Sequence, residues 1–422
     1  MILPDPDTTP FLPRGELEPF LTAYGNRRDQ YLAAAARGTP VYVLEPGVLA
    51  RRAIAFKEAF QEVLPDIGCY YAMKSNNAPQ VSKEMIRLGF GLDVSSGLEL
   101  GEALDLGCRD IVFSGPGKTA GELALAVDHA RETTVLMDSF GELDRLETAA
   151  AANGVAIRAG VRLTDNPQGL WRKFGIPLES LPEFWNRIKS CSHVQFRGLQ
   201  FHASWNMNPD RQVAFIRSLG KALAAMPGDF INALGFIDMG GGYWPPQGEW
   251  LVYDGTPEGI LDKARRKPGR SPLDHYRFPG VPIQVFAKAL GGAVKEFIFP
   301  LTRCRICFEP GRWICNDAMH ILITVVDQKA PDLVICDGGT NAVGWERYET
   351  DYCPVLNLSR WALEEKPCHV LGSLCTPHDV WGYTYWGSDI QPGDILMIPC
   401  QGAYTYSLRQ TFIKPLPPLV VL

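Results

Sequence analysis

From residue 41 onward the chain alternates short apolar runs with longer stretches whose apolar residues recur at helical spacing, the pattern of repeated strand–helix units. A helical pattern over residues 48–63 leads into an apolar run ending at Tyr70-Tyr71-Ala72-Met73-Lys74. Further runs end at Gly91-Leu92-Asp93-Val94, Ile111-Val112-Phe113-Ser114, Thr134-Val135-Leu136-Met137-Asp138 and Ile157-Arg158-Ala159-Gly160-Val161-Arg162. Three more end at Gly198-Leu199-Gln200-Phe201-His202, Phe236-Ile237-Asp238-Met239-Gly240 and Arg305-Ile306-Cys307-Phe308-Glu309, which brings the total to eight. Eight such units predict an α/β fold, a closed (β/α)8 TIM barrel, with a doubly wound open sheet as the alternative. In a barrel the reactive groups gather where strands end, and Lys74, Asp93, Asp138, Arg162, His202, Gly240 and Glu309 all fall at such ends.

After residue 330 the texture changes to β-like segments punctuated by Gly and Pro: Leu333-Val334-Ile335-Cys336, His369-Val370-Leu371, Asp394-Ile395-Leu396-Met397-Ile398 and Thr411-Phe412-Ile413. These predict a separate β-domain. Residues 1–40 precede the barrel. Residues 244–278, rich in Pro, Gly and charge, interrupt the pattern as a long insertion in one rim loop, placed where a lid would influence specificity.

Composition sharpens this picture at a few points. A chain of 422 residues, 46 % apolar and 21 % charged, fits two domains with a sizeable core. The net charge of −6 comes with no block of Lys or Arg, so nucleic acid is not an expected partner. The first residues lack the basic and apolar regions of a leader, and no uncharged run is long enough to span a bilayer, so the expectation is a cytoplasmic protein without membrane attachment. Eleven cysteines form no disulfide framework and are expected as reduced thiols.

Several constellations carry chemistry, each with a plainer alternative. Lys74 ends an apolar strand, and desolvation there favours the neutral amine that attacks a carbonyl; a snorkelling surface lysine is the plain alternative. Gly240-Gly241-Gly242 lets backbone N–H groups approach a phosphate, or is simply a turn. Glu309-Pro310-Gly311-Arg312 sets a carboxylate, suited to a protonated pyridine nitrogen, beside an arginine suited to a phosphate; a surface ion pair would look the same. His202 is placed to stack on an aromatic cofactor, or is a structural histidine. Cys375 and Asp379 set a thiol near a carboxylate, although most single cysteines are inert packing. Cys304 and Cys307 form a CxxC with no second ligand pair at zinc spacing, so no metal is expected.

In this order the motifs resemble those of the ornithine/diaminopimelate/arginine decarboxylases, the alanine-racemase-like class of pyridoxal-phosphate enzymes. The resemblance rests on Tyr71-Ala72-Met73-Lys74-Ser75-Asn76, on Gly91 through Leu100, on Gly115-Pro116-Gly117-Lys118, Lys173-Phe174-Gly175-Ile176, Phe201-His202 and Asp238-Met239-Gly240-Gly241-Gly242, and on Glu309-Pro310-Gly311-Arg312, Cys375 with Asp379, and Gly402-Ala403-Tyr404. It implies a barrel over residues 41–330, a β-domain made of residues 1–40 and 331–422, pyridoxal 5'-phosphate as cofactor, and a homodimer sharing active sites across its interface. Lys74 would be the Schiff-base lysine, with His202 stacked on the ring, Glu309 on its nitrogen and Asp93 among the cofactor contacts. Gly240, Gly241, Gly242, Ser204, Arg312 and Tyr404 would hold the phosphate. Cys375, from the partner, would return a proton to Cα after loss of carbon dioxide, and Asp379 would contact substrate. The implied activity is decarboxylation of a diamino acid or a derivative of one.

Two departures stand out. His202-Ala203-Ser204-Trp205 replaces the family's His-x-Gly-Ser, so the phosphate-binding serine is either displaced to Ser204 or lost, and a large Trp205 reshapes that wall. Thr376 follows Cys375 where diaminopimelate decarboxylases place an acid, so an altered substrate is expected, as in siderophore or secondary-metabolite biosynthesis. A racemase of the same fold and a silent regulatory paralogue are the competing readings.

Overall fold

The computed structural model describes residues 9–164, 168–344 and 350–422, and the chain divides into two compact units. The first comprises Ala50–Pro245 and Val281–Ile314. Its eight parallel strands are Ile67–Ala72, Gly91–Val94, Ile111–Phe113, Thr133–Met137, Ile157–Thr164, Val194–Phe201, Phe236–Asp238 and Arg305–Phe308. Each pairs with the next, and the eighth returns to the first with Ile306 opposite Ile67, so the sheet closes into the expected barrel.

Local sequence starts the barrel helices cleanly. Ser96, Thr119 and Ser139, each just before a helix, accept the N–H of Glu99, Glu122 and Glu142 three residues on. Each such cap is worth about 1 kcal/mol. Inside the barrel, Tyr70, Val112, Leu136 and Cys307 pack together with Phe236. The two rings fit because their neighbours lack side chains: a Cβ on Gly91 would lie 2.5 Å from the Tyr70 ring, and one on Gly198 2.6 Å from the Phe236 ring.

A buried ion pair braces one side of the rim. Lys118 Nζ donates to Gly115 O at 2.6 Å, Leu136 O at 2.8 Å and Glu142 Oε1 at 2.7 Å. This ties the loop after the third strand to the fourth strand and to the helix that follows it.

The second unit holds residues 9–49, 246–280 and 315–422. Among the described residues, six of its strands close a ring in the order Met319–Ala330, Leu333–Cys336, Glu365–Leu371, Val380–Trp386, Leu356–Asn357 and Ile395–Ile398. Val41–Leu44 adds antiparallel to Met319–Ala330, and Leu419–Val421 adds parallel to Val41–Leu44. Helices Arg14–Gly25 and Arg28–Ala35 send Leu17, Leu21, Tyr24 and Tyr31 into a core shared with Trp386 and Met397.

The boundaries expected at residues 41 and 330 are displaced. Residues 41–44 and 319–330 were expected in the barrel, yet they pair with one another in the β-domain, because a fully apolar four-residue run does not reveal which sheet it joins. The expected rim-loop insertion also folds in this unit. Glu249–Val252 pairs with His275–Phe278, helix Pro257–Ala264 lies between them, and Trp250 packs edge-on against Phe20. Thr411-Phe412-Ile413 forms no strand; it carries one isolated bridge, Phe412 to Lys414, and Ile413 has a positive φ of 47°.

Candidate active site

The barrel brings its reactive groups to the C-terminal ends of the strands. Lys74 lies in the 3-10 turn Met73–Ser75 that follows the first strand, between two buried neighbours. Ala72 and Asp93 are register partners, which sets Lys74 Nζ 3.0 Å from Asp93 Oδ2. Asp93 is fully buried, and the Ser114 hydroxyl donates to its Oδ1. Burial, and secondarily the charge of Glu309, push the Asp93 carboxyl up, while Lys74 pulls it down. Beside this pair Glu99 accepts the Ser95 N–H at 2.6 Å, and burial raises its carboxyl to about 7.

His202 follows the sixth strand. Its Nδ1 accepts the Gly241 N–H at 3.1 Å, which places the ring proton on Nε2. Burial, reinforced by Lys74 and Arg162, holds its pKa well below the usual histidine value, so the imidazole is neutral. Glu309 ends the eighth strand with 1 % of its side chain exposed. Its Oε1 accepts from Gln200 Nε2 at 3.1 Å, while its buried Oε2 has no hydrogen-bond partner and lies 3.7 Å from His202 Nδ1, acceptor facing acceptor.

The glycine loop differs from its expected use. Gly240 N–H donates to Asp238 Oδ1 at 2.8 Å, and Gly241 N–H is taken by His202. Two of the three N–H groups thus point into the protein, and only Gly242 N–H is left open among the described residues. The glycines serve close packing: a Cβ on Gly241 or Gly242 would collide with Glu309 O or Ala203 O, and Gly240 and Gly242 have φ of 64° and 81°. Asn206, absent from the expected set, sews this loop to the one after the sixth strand. Its Nδ2 donates to Ala203 O at 2.8 Å and Gly241 O at 3.2 Å, and its N–H to Gly242 O at 2.9 Å. Ser204 is half-buried in that loop, and Trp205 adopts a positive φ of 53° with its side chain exposed. The Arg312 guanidinium lies 4.1 Å from the centre of the Trp244 ring.

Asp138 and Arg162 act together. Asp138 Oδ1 accepts the Gly175 N–H at 2.8 Å, and the Arg162 guanidinium stacks on Phe174 at 4.5 Å, so both pin the Lys173-Phe174-Gly175-Ile176 segment. A cavity of about 300 Å³ opens between Arg162, Trp171, Phe174, His202, Arg211 and Phe215.

Cys375, Asp379 and Tyr404 belong to the β-domain. Cys375 is exposed, in the turn between Glu365–Leu371 and Val380–Trp386. Asp379, expected to contact substrate, is 2 % exposed and engaged at both oxygens: Thr340 N–H and hydroxyl donate to Oδ1 at 2.7 and 3.0 Å, and Leu374 N–H to Oδ2 at 2.7 Å. It anchors the cysteine turn. Tyr404 has a positive φ of 57°, just beyond a Gly402 packed so tightly that a Cβ would strike Cys315 O.

Lys74, Asp93, His202, the glycine loop and Glu309 therefore share one barrel mouth. Gln200, Asn206, Ser114 and Glu99 were missed; only Gln200 left a signal, standing two residues before His202 and so on the same face of its strand.

Residues 48–249 match the family model for the pyridoxal-dependent decarboxylase, pyridoxal binding domain. Over those residues the chain is similar to that domain. It is 24 % identical over 413 residues to the diaminopimelate decarboxylase of Bacillus subtilis, covering 93 % of this chain and 88 % of that one. To the L-glutamyl-[BtrI acyl-carrier protein] decarboxylase of Niallia circulans it is 25 % identical over 396 residues, covering 87 % and 85 %. In fold it matches the crystal structure of diaminopimelate decarboxylase from Helicobacter pylori complexed with L-lysine, with a TM-score of 0.73, 23 % identity and coverage of 91 % and 92 %.

The matched region is described as the pyridoxal-binding domain of pyridoxal-dependent decarboxylases, which makes pyridoxal phosphate the cofactor that the site has to fit. The barrel mouth fits the cofactor on its own terms. A buried carboxylate oxygen without a donor at Glu309 Oε2 suits a protonated ring nitrogen, a neutral imidazole at His202 suits an aromatic face, and the Lys74 side chain, 33 % exposed, suits the aldehyde.

Proposed function

We propose that the protein removes the α-carboxyl group of a diamino acid, or of a derivative of one, and returns a proton to the same carbon. The observation that carries this reading is Glu309 Oε2, a buried acceptor awaiting a donor at the same mouth as Lys74. Pyridoxal phosphate, when bound, supplies the electron sink for the carboxylate's departure. Glu309 Oε2 keeps a proton on the ring nitrogen, and His202 offers its uncharged imidazole to the ring face. Asp93 positions the Lys74 amine. Gly242 N–H, Ser204 and Arg312 hold the phosphate, and Cys375, from the partner in a homodimer, donates the proton to Cα.

The cavity beside His202 bears on the substrate. Arg162 and Arg211 line it, and none of its described lining residues is acidic, which supports a second carboxylate on the substrate. Thr376 after Cys375 and the engaged Asp379 leave this turn without a carboxylate for a distal amine.

Carbon dioxide release from the cofactor-loaded protein, across L-, D- and meso-diamino acids and their acylated or citrylated derivatives, tests the proposal. Release from one substrate, abolished by Lys74→Ala, is the expected result. Exchange of the Cα hydrogen without release would overturn it in favour of a racemase.

A further inference from the structure

Gln200, one residue before the end of its strand, is the register partner of Asp238 on the adjacent parallel strand, which puts their side chains on one face within reach of each other. Both are buried, at 1 % and 0 % exposure. Glu309 can only accept, so the Gln200 atom facing it must be Nε2, and Gln200 Oε1 is left as an acceptor. Asp238 is in the same position: Oδ1 takes the Gly240 N–H at 2.8 Å, and Oδ2 has no partner. Two neighbouring buried acceptors, Gln200 Oε1 and Asp238 Oδ2, thus both lack a donor, which native interiors rarely tolerate. One proton satisfies both.

We propose that Asp238 is kept as a neutral carboxylic acid donating from Oδ2 to Gln200 Oε1, so that Gln200 Nε2 is locked on Glu309 Oε1 and Glu309 holds the negative charge opposite the cofactor nitrogen. Burial and then the nearness of Glu309 push the Asp238 carboxyl well above the usual carboxylate range; Asp93 adds to this and Lys74 opposes it. Asp238 and Gln200 are positioning residues. Their effect on the chemistry rests on the decarboxylase reading, but the protonation state does not.

The test uses the cofactor-free protein first. Difference infrared spectroscopy of wild type against Asp238→Asn at neutral pH should show the carbonyl stretch of a buried protonated carboxylic acid, lost in the variant and moved to higher frequency in Gln200→Leu, which removes the acceptor. Cofactor titration follows. Asp238→Asn, which keeps an acceptor for Gly240 and a neutral donor for Gln200, should bind pyridoxal phosphate within about threefold of wild type, while Asp238→Ala and Gln200→Leu should bind about tenfold more weakly. Absence of the carboxylic-acid band, or an Asp238→Asn protein that folds yet binds as poorly as Asp238→Ala, would overturn the proposal. If Asp238→Asn does not fold, the band and its shift in Gln200→Leu decide alone. No substrate enters any of these measurements, so a failed decarboxylation leaves their outcome intact.

Discussion

Lys74 and Lys118 each follow a barrel strand and each meet a carboxylate, yet their surroundings differ. Lys118 has 1 % of its side chain exposed, and two backbone carbonyls and Glu142 take its ammonium. Lys74 has 33 % exposed and faces Asp93, whose own charge is disfavoured by burial. The first arrangement leaves the amine nothing to do but hold loops together. The second fixes an amine where a ligand can reach it. Burial of a lysine therefore does not mark function; the exposure left to it, and the acceptors already serving it, do.

Replacing each lysine should separate these roles. Lys74→Ala should cut turnover by on the order of 10⁴ or more while leaving the unfolding transition in place, as measured by carbon dioxide release and urea denaturation. A large loss of stability would return Lys74 to the same class as Lys118. Lys118→Met should behave oppositely and cost about 3–5 kcal/mol in urea unfolding by leaving Glu142 buried and unpaired. Lys118→Met/Glu142→Leu should recover most of that loss, and no recovery would mean that the carbonyl contacts matter more than the ion pair.

The same distinction applies at the cysteine turn. Asp379→Ala, which abandons three donors, should cost about 1.5–3 kcal/mol. A raised KM at unchanged stability would instead return Asp379 to the substrate. The smallest effect is expected at Glu99, half-buried beside Lys74. With its carboxyl raised from 4.5 to about 7, the folded protein binds this proton more tightly than the unfolded chain. The resulting stabilisation is complete below pH 4.5 and is lost as pH climbs through about 7. Glu99→Gln should flatten the Tm-against-pH curve across that window, and an unchanged slope would place the proton elsewhere.

The barrel was legible because its strands are short apolar runs that each end in a polar residue, so periodicity and chemistry marked the same positions from Lys74 to Glu309. The β-domain was legible only in part. Val41–Leu44 is buried throughout and reads like any barrel strand, and its partners lie far along the chain. Glu249–Val252 and His275–Phe278 are four residues each, too short to stand out from the Pro, Gly and charge around them. At the site, Lys74, Asp93, His202 and Glu309 could be picked by residue type and place. Asn206 could not, since its role depends on which backbone groups come near, and Gln200 showed only that it shares a strand face with His202. The same limit hid the partners of Asp379, whose carboxylate takes Thr340 on one oxygen and Leu374, next to Cys375, on the other.

Pairing Leu44 with Met319 also sets a timetable. On a ribosome adding about 5–20 residues each second, the amino-terminal strand is made tens of seconds before its partner exists. The barrel segment emerges in between, its closing strand Arg305–Phe308 only just ahead of Met319, while a fully apolar strand waits with its edges unsatisfied. Loop-closure entropy rises only slowly with length, so the finished protein bears little thermodynamic penalty for this separation. The nascent chain bears it as a period of exposure, and yield in the cell should depend on what shields residues 41–44 during synthesis.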